Sequence, residues 1–212
     1  MNKLSVIIVA VFLVAAGCSA PAPDQQSGIS TNEPSQSDSS GNETVEVKSI
    51  VPPIDRASER ITKKPFGLEV SPRNSPVQPE KFTGFHTGVD FEAFEDEQNS
   101  DVQIYAICDG ELVTKRSASG YGGLVTQQCT IENEPVTVLY GHVRLSSVQA
   151  EIGTELKAGE NLGVLGTGYS AETDNERKHL HLGIVKGHGA EIRGYVPDAQ
   201  RLGNFLDITK YY

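Results

Sequence analysis

The chain has 212 residues, with 28 acidic side chains against 18 basic ones and a net charge of −10. With that balance, no tryptophan and no basic patch, nucleic acid is excluded as a partner. Beyond a polar N-terminal stretch about 160 residues remain, which fits one domain.

The first residues, 1–17, read as a secretory signal. Lys3 supplies a positive start, Leu4 to Ala15 is apolar almost throughout, and Ala15, Ala16 and Gly17 lead into Cys18. The apolar stretch falls short of the roughly 20 residues that span a bilayer. Ala-Ala-Gly-Cys resembles a bacterial lipobox, with Ala15 where leucine is usual. Cys18 is therefore the expected lipidated N-terminus of an exported protein anchored to a membrane. The alternative is an ordinary cleaved signal with an incidental cysteine. Residues 18–49 then form a tether. They are rich in Ser, Pro, Gln, Asn and Gly and have no apolar periodicity, so they cannot bury enough surface to offset ordering entropy. A flexible chain of this length has an r.m.s. span of about 30 Å and a maximum near about 100 Å.

The domain, residues 50–212, reads as all-β. Val102 to Ile107 is a short apolar run stopped by Asp109-Gly110. Leu112-Val113-Thr114, the turn Ser119 to Gly123, Leu124-Val125-Thr126 and Val136 to Tyr140 follow. Short strands punctuated by glycines at this spacing suggest an antiparallel sandwich or barrel. Helical pieces are expected only at Val148-Gln149-Ala150 and over Asp198 to Phe205. Cys108 and Cys129 fall on consecutive strand-like runs. Behind an export signal they can form a disulfide worth roughly 3 kcal/mol, or remain two buried thiols. No third cysteine remains to build a thiolate zinc site with them.

The chemistry is concentrated in three short motifs that hold four of the five histidines. In Lys178-His179-Leu180-His181-Leu182-Gly183, residues two apart on a strand share a face, so both imidazoles emerge together opposite Leu180 and Leu182. His86-Thr87-Gly88-Val89-Asp90 places a histidine and a carboxylate four apart, on one face if the segment is extended. The third motif is Tyr140-Gly141-His142. Two histidines and one carboxylate are a common zinc set with an open fourth position. Two further histidines can move protons or hold an oxyanion. His188, between Gly187 and Gly189, is read as an exposed loop residue. Tyr121 and Tyr140 are candidates for lining a substrate cleft, with core packing the alternative for Tyr140.

In that order, His86-x-x-x-Asp90, Tyr140-Gly141-His142 and His179-x-His181 resemble the lysostaphin/LytM-type zinc endopeptidases. The turns Ala106 to Gly110, Gly120 to Gly123 and Gly159 to Gly166 add to the likeness, which covers roughly residues 81–185. The resemblance implies an antiparallel β fold related to the barrel-sandwich hybrids, of duplicated-hybrid-motif type. It implies one Zn²⁺ per chain held by His86, Asp90 and His181, with His142 and His179 as the catalytic pair. The implied activity is hydrolysis of peptide cross-links in bacterial peptidoglycan. Peptide stems are then the partner, and a monomer anchored at the cell envelope is the expected state.

The chain departs from the family pattern in two places. Ser170 to Lys178, before His-x-His, is longer than the usual Ser-Thr-Gly-type turn and charged, and is expected to rim the cleft. The acidic run Glu92, Glu95, Asp96 and Glu97 reads as a solvated loop, or as a negative rim attracting an amine. A non-catalytic wall-binding regulator is the competing function. Such relatives lose ligands or catalytic histidines, and none is missing here. A sugar-phosphotransferase or biotinyl-type domain is disfavoured by the export signal.

Overall fold

The structure, a computed structural model, describes residues 50–212. The expected signal segment, Cys18 and the tether lie outside the described residues.

The strands run in chain order as β1 (Glu69–Val70), β2 (Gly84–His86), β3 (Gly88–Glu92), β4 (Gln103–Tyr105), β5 (Gly110–Ala118) and β6 (Gly122–Ile131). They continue as β7 (Glu134–Gly141), β8 (Glu155–Leu156), β9 (Asn161–Val164), β10 (His179–Lys186) and β11 (Tyr195–Val196). A six-stranded sheet has the order β3-β10-β7-β6-β5-β8. A three-stranded sheet has the order β1-β2-β11, and β4 pairs with β9. Every pairing is antiparallel, as the short strands and glycine turns predict. The β6–β7 turn holds Glu132 and Asn133 at φ 52° and 64°, the left-handed pair that a type I′ hairpin needs.

Alternation along the large sheet separates two faces. Val89 and Phe91 of β3, Leu180, Leu182 and Ile184 of β10, and Val136 and Val138 of β7 join one core. Ile104 of β4 and Leu162 of β9 belong to the same core. The other face carries a smaller cluster of Tyr121, Leu124 and Leu139 beside the polar motifs.

Four expectations are corrected. Tyr140 does not line a cleft: it is fully buried, Ile107 N–H donates to its hydroxyl oxygen at 2.9 Å, and it lies 3.0 Å from Gln127 Oε1. Residues 86–90 are not one strand, because the chain leaves the small sheet after His86 and enters the large one at Gly88. The helical piece expected at Val148–Ala150 is a 3₁₀ turn just upstream, Leu145–Ser147, while Ala199–Leu202 supplies the other. Cys108 sits in the turn after β4 rather than on a strand, yet it is bonded to Cys129 of β6. Gln127 Nε2 donates to the carbonyls of Cys108 and Gly110, so the same buried network that holds Tyr140 fixes this turn.

Candidate active site

The register of β10 assembles the site. His181 pairs with Asp90 of β3 on one side and with Gly141 of β7 on the other, and His179 pairs with Glu92. The two-residue period therefore puts His179 and His181 on the face that Asp90 shares, while Leu180 and Leu182 enter the core. His86 arrives from β2, across the break at Thr87. Two glycines permit the crowding. A side chain at Gly88 would strike the Leu182 carbonyl and the His181 ring, and one at Gly141 would strike the Tyr121 ring. His142 follows β7 in the left-handed region at φ 64°, an uncommon conformation for a non-glycine residue, and this turns the chain off the strand direction.

Three ligand atoms meet at one point. His86 Nε2 lies 3.0 Å from His181 Nδ1 and 3.2 Å from Asp90 Oδ1, and His181 Nδ1 lies 3.1 Å from the same oxygen. His86 Nδ1 is 3.1 Å from the Pro65 carbonyl, which can only accept, so that nitrogen carries the proton and Nε2 offers a lone pair. A tetrahedral zinc ion with bonds of 2.0–2.1 Å separates its ligand atoms by about 3.3 Å. The donor set and its spacing fit such an ion, and all three donors are buried.

The second pair stands beside the first. The rings of His142 and His179 have centroids 4.2 Å apart. His179 Nδ1 lies 2.9 Å from the Arg177 carbonyl, so this nitrogen too holds the proton and Nε2 is left toward Asp90 Oδ2 at 3.4 Å. Burial pushes the His142 imidazole down to about 3 and the His179 imidazole well below its ordinary value. Asp90 stays ionised: burial opposes its charge, but the Arg177 guanidinium at 2.7 Å helps hold its carboxyl well below the usual range. His142 Nδ1 and His181 Nε2 are buried with no partner among the described residues.

The cleft above these groups has a volume of ≈ 420 Å³ and is lined by Asp90, Tyr121, His142, His179 and His181, with Lys64, Phe82 and Tyr195 on one wall. Tyr121 takes the expected lining position, and its hydroxyl donates to the Ile192 carbonyl at 2.7 Å. From residues 50–80 only Lys64 reaches the lining, so that segment flanks the cleft. Glu176 of the charged stretch lines it as well, and so does Arg177, which is buried rather than a solvated rim charge. His188 is exposed, away from the site.

The acidic run behaves differently from either expectation. Glu92 is buried against Arg177, with Lys63 at 3.3 Å, and Glu97 is paired by both guanidinium nitrogens of Arg60. Only Glu95 and Asp96 of the run are exposed, and neither lines the cleft. Local sequence did not reveal these pairings, because they depend on register and on residues about 30 to 85 positions away. The Pro65 carbonyl, which fixes the His86 ring, had no sequence signal.

The family model described as Peptidase family M23 matches residues 84–193, a span that contains all five site residues. No curated protein matches the chain. Among solved structures, LytU is similar over 72% of this chain and 83% of its own, at 20% identity and a TM-score of 0.48. The catalytic domain of the antimicrobial peptidase lysostaphin from Staphylococcus simulans is similar over 70% of this chain and 86% of its own, at 20% identity and a TM-score of 0.44. The SpoIIQ–SpoIIIAH pore-forming complex is similar over 78% of this chain and 91% of its own, at 14% identity and a TM-score of 0.49.

Proposed function

The chain belongs to peptidase family M23, and on that premise we propose that it is a zinc metalloendopeptidase that hydrolyses peptide cross-links of bacterial peptidoglycan. The observation that supports this best is the convergence of His86 Nε2, Asp90 Oδ1 and His181 Nδ1, of which Asp90 and His181 line the cleft, with the His142–His179 pair alongside. Bound there, zinc polarises the scissile carbonyl and lowers the pKa of its water toward about 7.

The protein's own groups do the rest. Their burial keeps His142 and His179 neutral at neutral pH, and His179 Nδ1–H donates to the Arg177 carbonyl, so its Nε2 keeps a free lone pair. Between them they take the proton of the attacking water and stabilise the oxyanion or protonate the leaving amine. The Arg177 carbonyl holds His179 with Nε2 toward the cleft. Tyr121 and Ile192 give the substrate backbone an apolar wall that excludes water. The complete set of ligands and histidines favours an enzyme over a wall-binding regulator. Digestion of several purified peptidoglycan types, with mass analysis of the released fragments, tests this. Release of peptide-bond cleavage products is expected; binding to the wall without release supports the regulator.

The same reading extends to the leader. The protein is exported and held at the envelope through lipidated Cys18, with residues 18–49 as a tether that lets the domain search the wall. It rests on the apolar stretch ending in Ala-Ala-Gly-Cys. Cys18→Ser is expected to move the protein to the soluble fraction, and a variant still sedimenting with salt-washed membranes overturns the anchor.

A further inference from the structure

Beside the ligand set lies a group that neither the cleft chemistry nor the ligand set uses. Arg177, two residues before His179 and just ahead of β10, meets Asp90 and Glu92 on β3. Its Nη2 donates to Asp90 Oδ2 at 2.7 Å. Its Nε donates to both oxygens of Glu92, at 3.0 and 2.9 Å. Both Glu92 and Arg177 are buried, and the Arg60 guanidinium holds the Glu92 carbonyl at 3.1 Å. The Asp90 carboxylate is thereby divided: Oδ1 faces His86 and His181, and Oδ2 is taken.

We propose that Arg177 is a positioning residue of the metal centre, restricting Asp90 to ligation through one oxygen and so keeping the fourth coordination position open, with Glu92 as the anion that fixes the guanidinium. This rests on the metalloenzyme reading above. A free carboxylate can offer both oxygens to one ion, which would occupy the position that water and substrate need. A charge-assisted bond to the outer oxygen removes that option, and the planar fork of arginine reaches two carboxylates at once where lysine reaches one point. The residue lies in the charged stretch before His-x-His, where the chain departs from the pattern it resembles.

The full chain loaded with Co²⁺ provides the test, because the visible absorption of cobalt is intense in four-coordinate sites and weakens as coordination rises. Arg177→Met is expected to keep one cobalt per chain while its visible bands lose most of their intensity. On the zinc form kcat falls about 10–100-fold, as for loss of a group orienting a metal ligand, with KM little changed. Arg177→Lys recovers part of both, since an ammonium still reaches Asp90 Oδ2. Unchanged bands in Arg177→Met overturn the proposal, including the case in which only stability falls. If Arg177→Met does not fold, Glu92→Gln loosens the guanidinium with little change of shape; a smaller loss of intensity is expected, and an unchanged spectrum overturns the proposal. A wild-type chain that takes up no cobalt overturns the metal reading itself, and this proposal with it.

Discussion

The two faces of β10 are nearly equally dry and chemically opposite. Leu180 and Leu182 are 0% exposed on the core side, and His179 and His181 are 2% and 4% exposed on the cleft side. Burial stabilises the first pair, at about 25 cal/mol per Å² of apolar surface. It penalises the second pair, whose lost hydration must be replaced by partners. His179 gains the Arg177 carbonyl and His181 gains Asp90. One strand thus holds the fold together with its even-numbered residues and positions the site with its odd-numbered ones.

The largest effect that can break this comparison lies within His-Leu-His. His181→Ala removes one of three ligand atoms, so zinc content and activity should both fall by orders of magnitude. His179→Ala leaves the ligand set whole, so zinc should stay near one per chain while cleavage of wall peptide drops about 10²–10⁴-fold. Metal content, turnover and circular dichroism measured on the same preparations decide the matter. Equal zinc loss in both variants would mean that the two roles are misassigned.

Across the strand, Leu182→Ala should behave in the reverse manner. It opens a cavity in the main core and should lower unfolding stability by about 2–5 kcal/mol. Zinc bound per folded chain should not change. Denaturant unfolding with parallel metal analysis reads both quantities, and a stable protein that has lost its metal would show that the faces are not separable.

A smaller effect follows from pH. In the folded, metal-free protein burial pushes the His142 imidazole down to about 3, and pushes His179 and His181 below their ordinary value. The unfolded chain protonates these groups near about 6.5. Between those limits the unfolded state binds more protons, so stability rises with pH and is lost as pH falls from about 6.5. Within that window His142 contributes up to about 1.4 kcal/mol per pH unit, and His179 and His181 add to the loss in the same direction. Urea unfolding of chelated protein from pH 7.5 to 4.5 should show the decline, and a flat profile would mean that the cleft histidines are hydrated.

What the sequence showed and what it hid divide along the same faces. Strand periodicity is local, so the placement of His179 and His181 opposite Leu180 and Leu182 was readable from six residues. The antiparallel all-β class followed from glycine spacing. The surroundings of the ligands were not readable. Arg177 looked like a rim charge and Glu92 like part of a solvated run, because only the β3–β10 register brings them together. His86 and Asp90 looked like one strand, because nothing local marks Thr87 as the point where the chain changes sheets. Tyr140 was open to either cleft or core, and alternation sends it to the core face. The short helices, of three and four residues, lie below the length at which a helical period can be recognised.

The finest test concerns Tyr121, which touches both aspects of the cleft face. Its ring covers Gly141 and lies 5.4 Å from the His181 ring, while its hydroxyl donates to the Ile192 carbonyl. Burial raises the hydroxyl far above its ordinary pKa, so it remains a donor throughout the working range. The bond ties the chain around Ile192 to the turn between β5 and β6, and so fixes one cleft wall. Tyr121→Phe keeps the ring and loses only that tie, so stability should fall by about 1 kcal/mol, the net worth of one hydrogen bond. Because the Ile192 carbonyl already accepts the hydroxyl proton, no donor is left for substrate, and kcat should stay close to that of the wild type. A wall that has become looser should appear in KM instead. A large loss of kcat at unchanged stability would place the Tyr121 hydroxyl on the reacting peptide, and the cleft face would then use a third side chain in chemistry that its buried position suggests only for two.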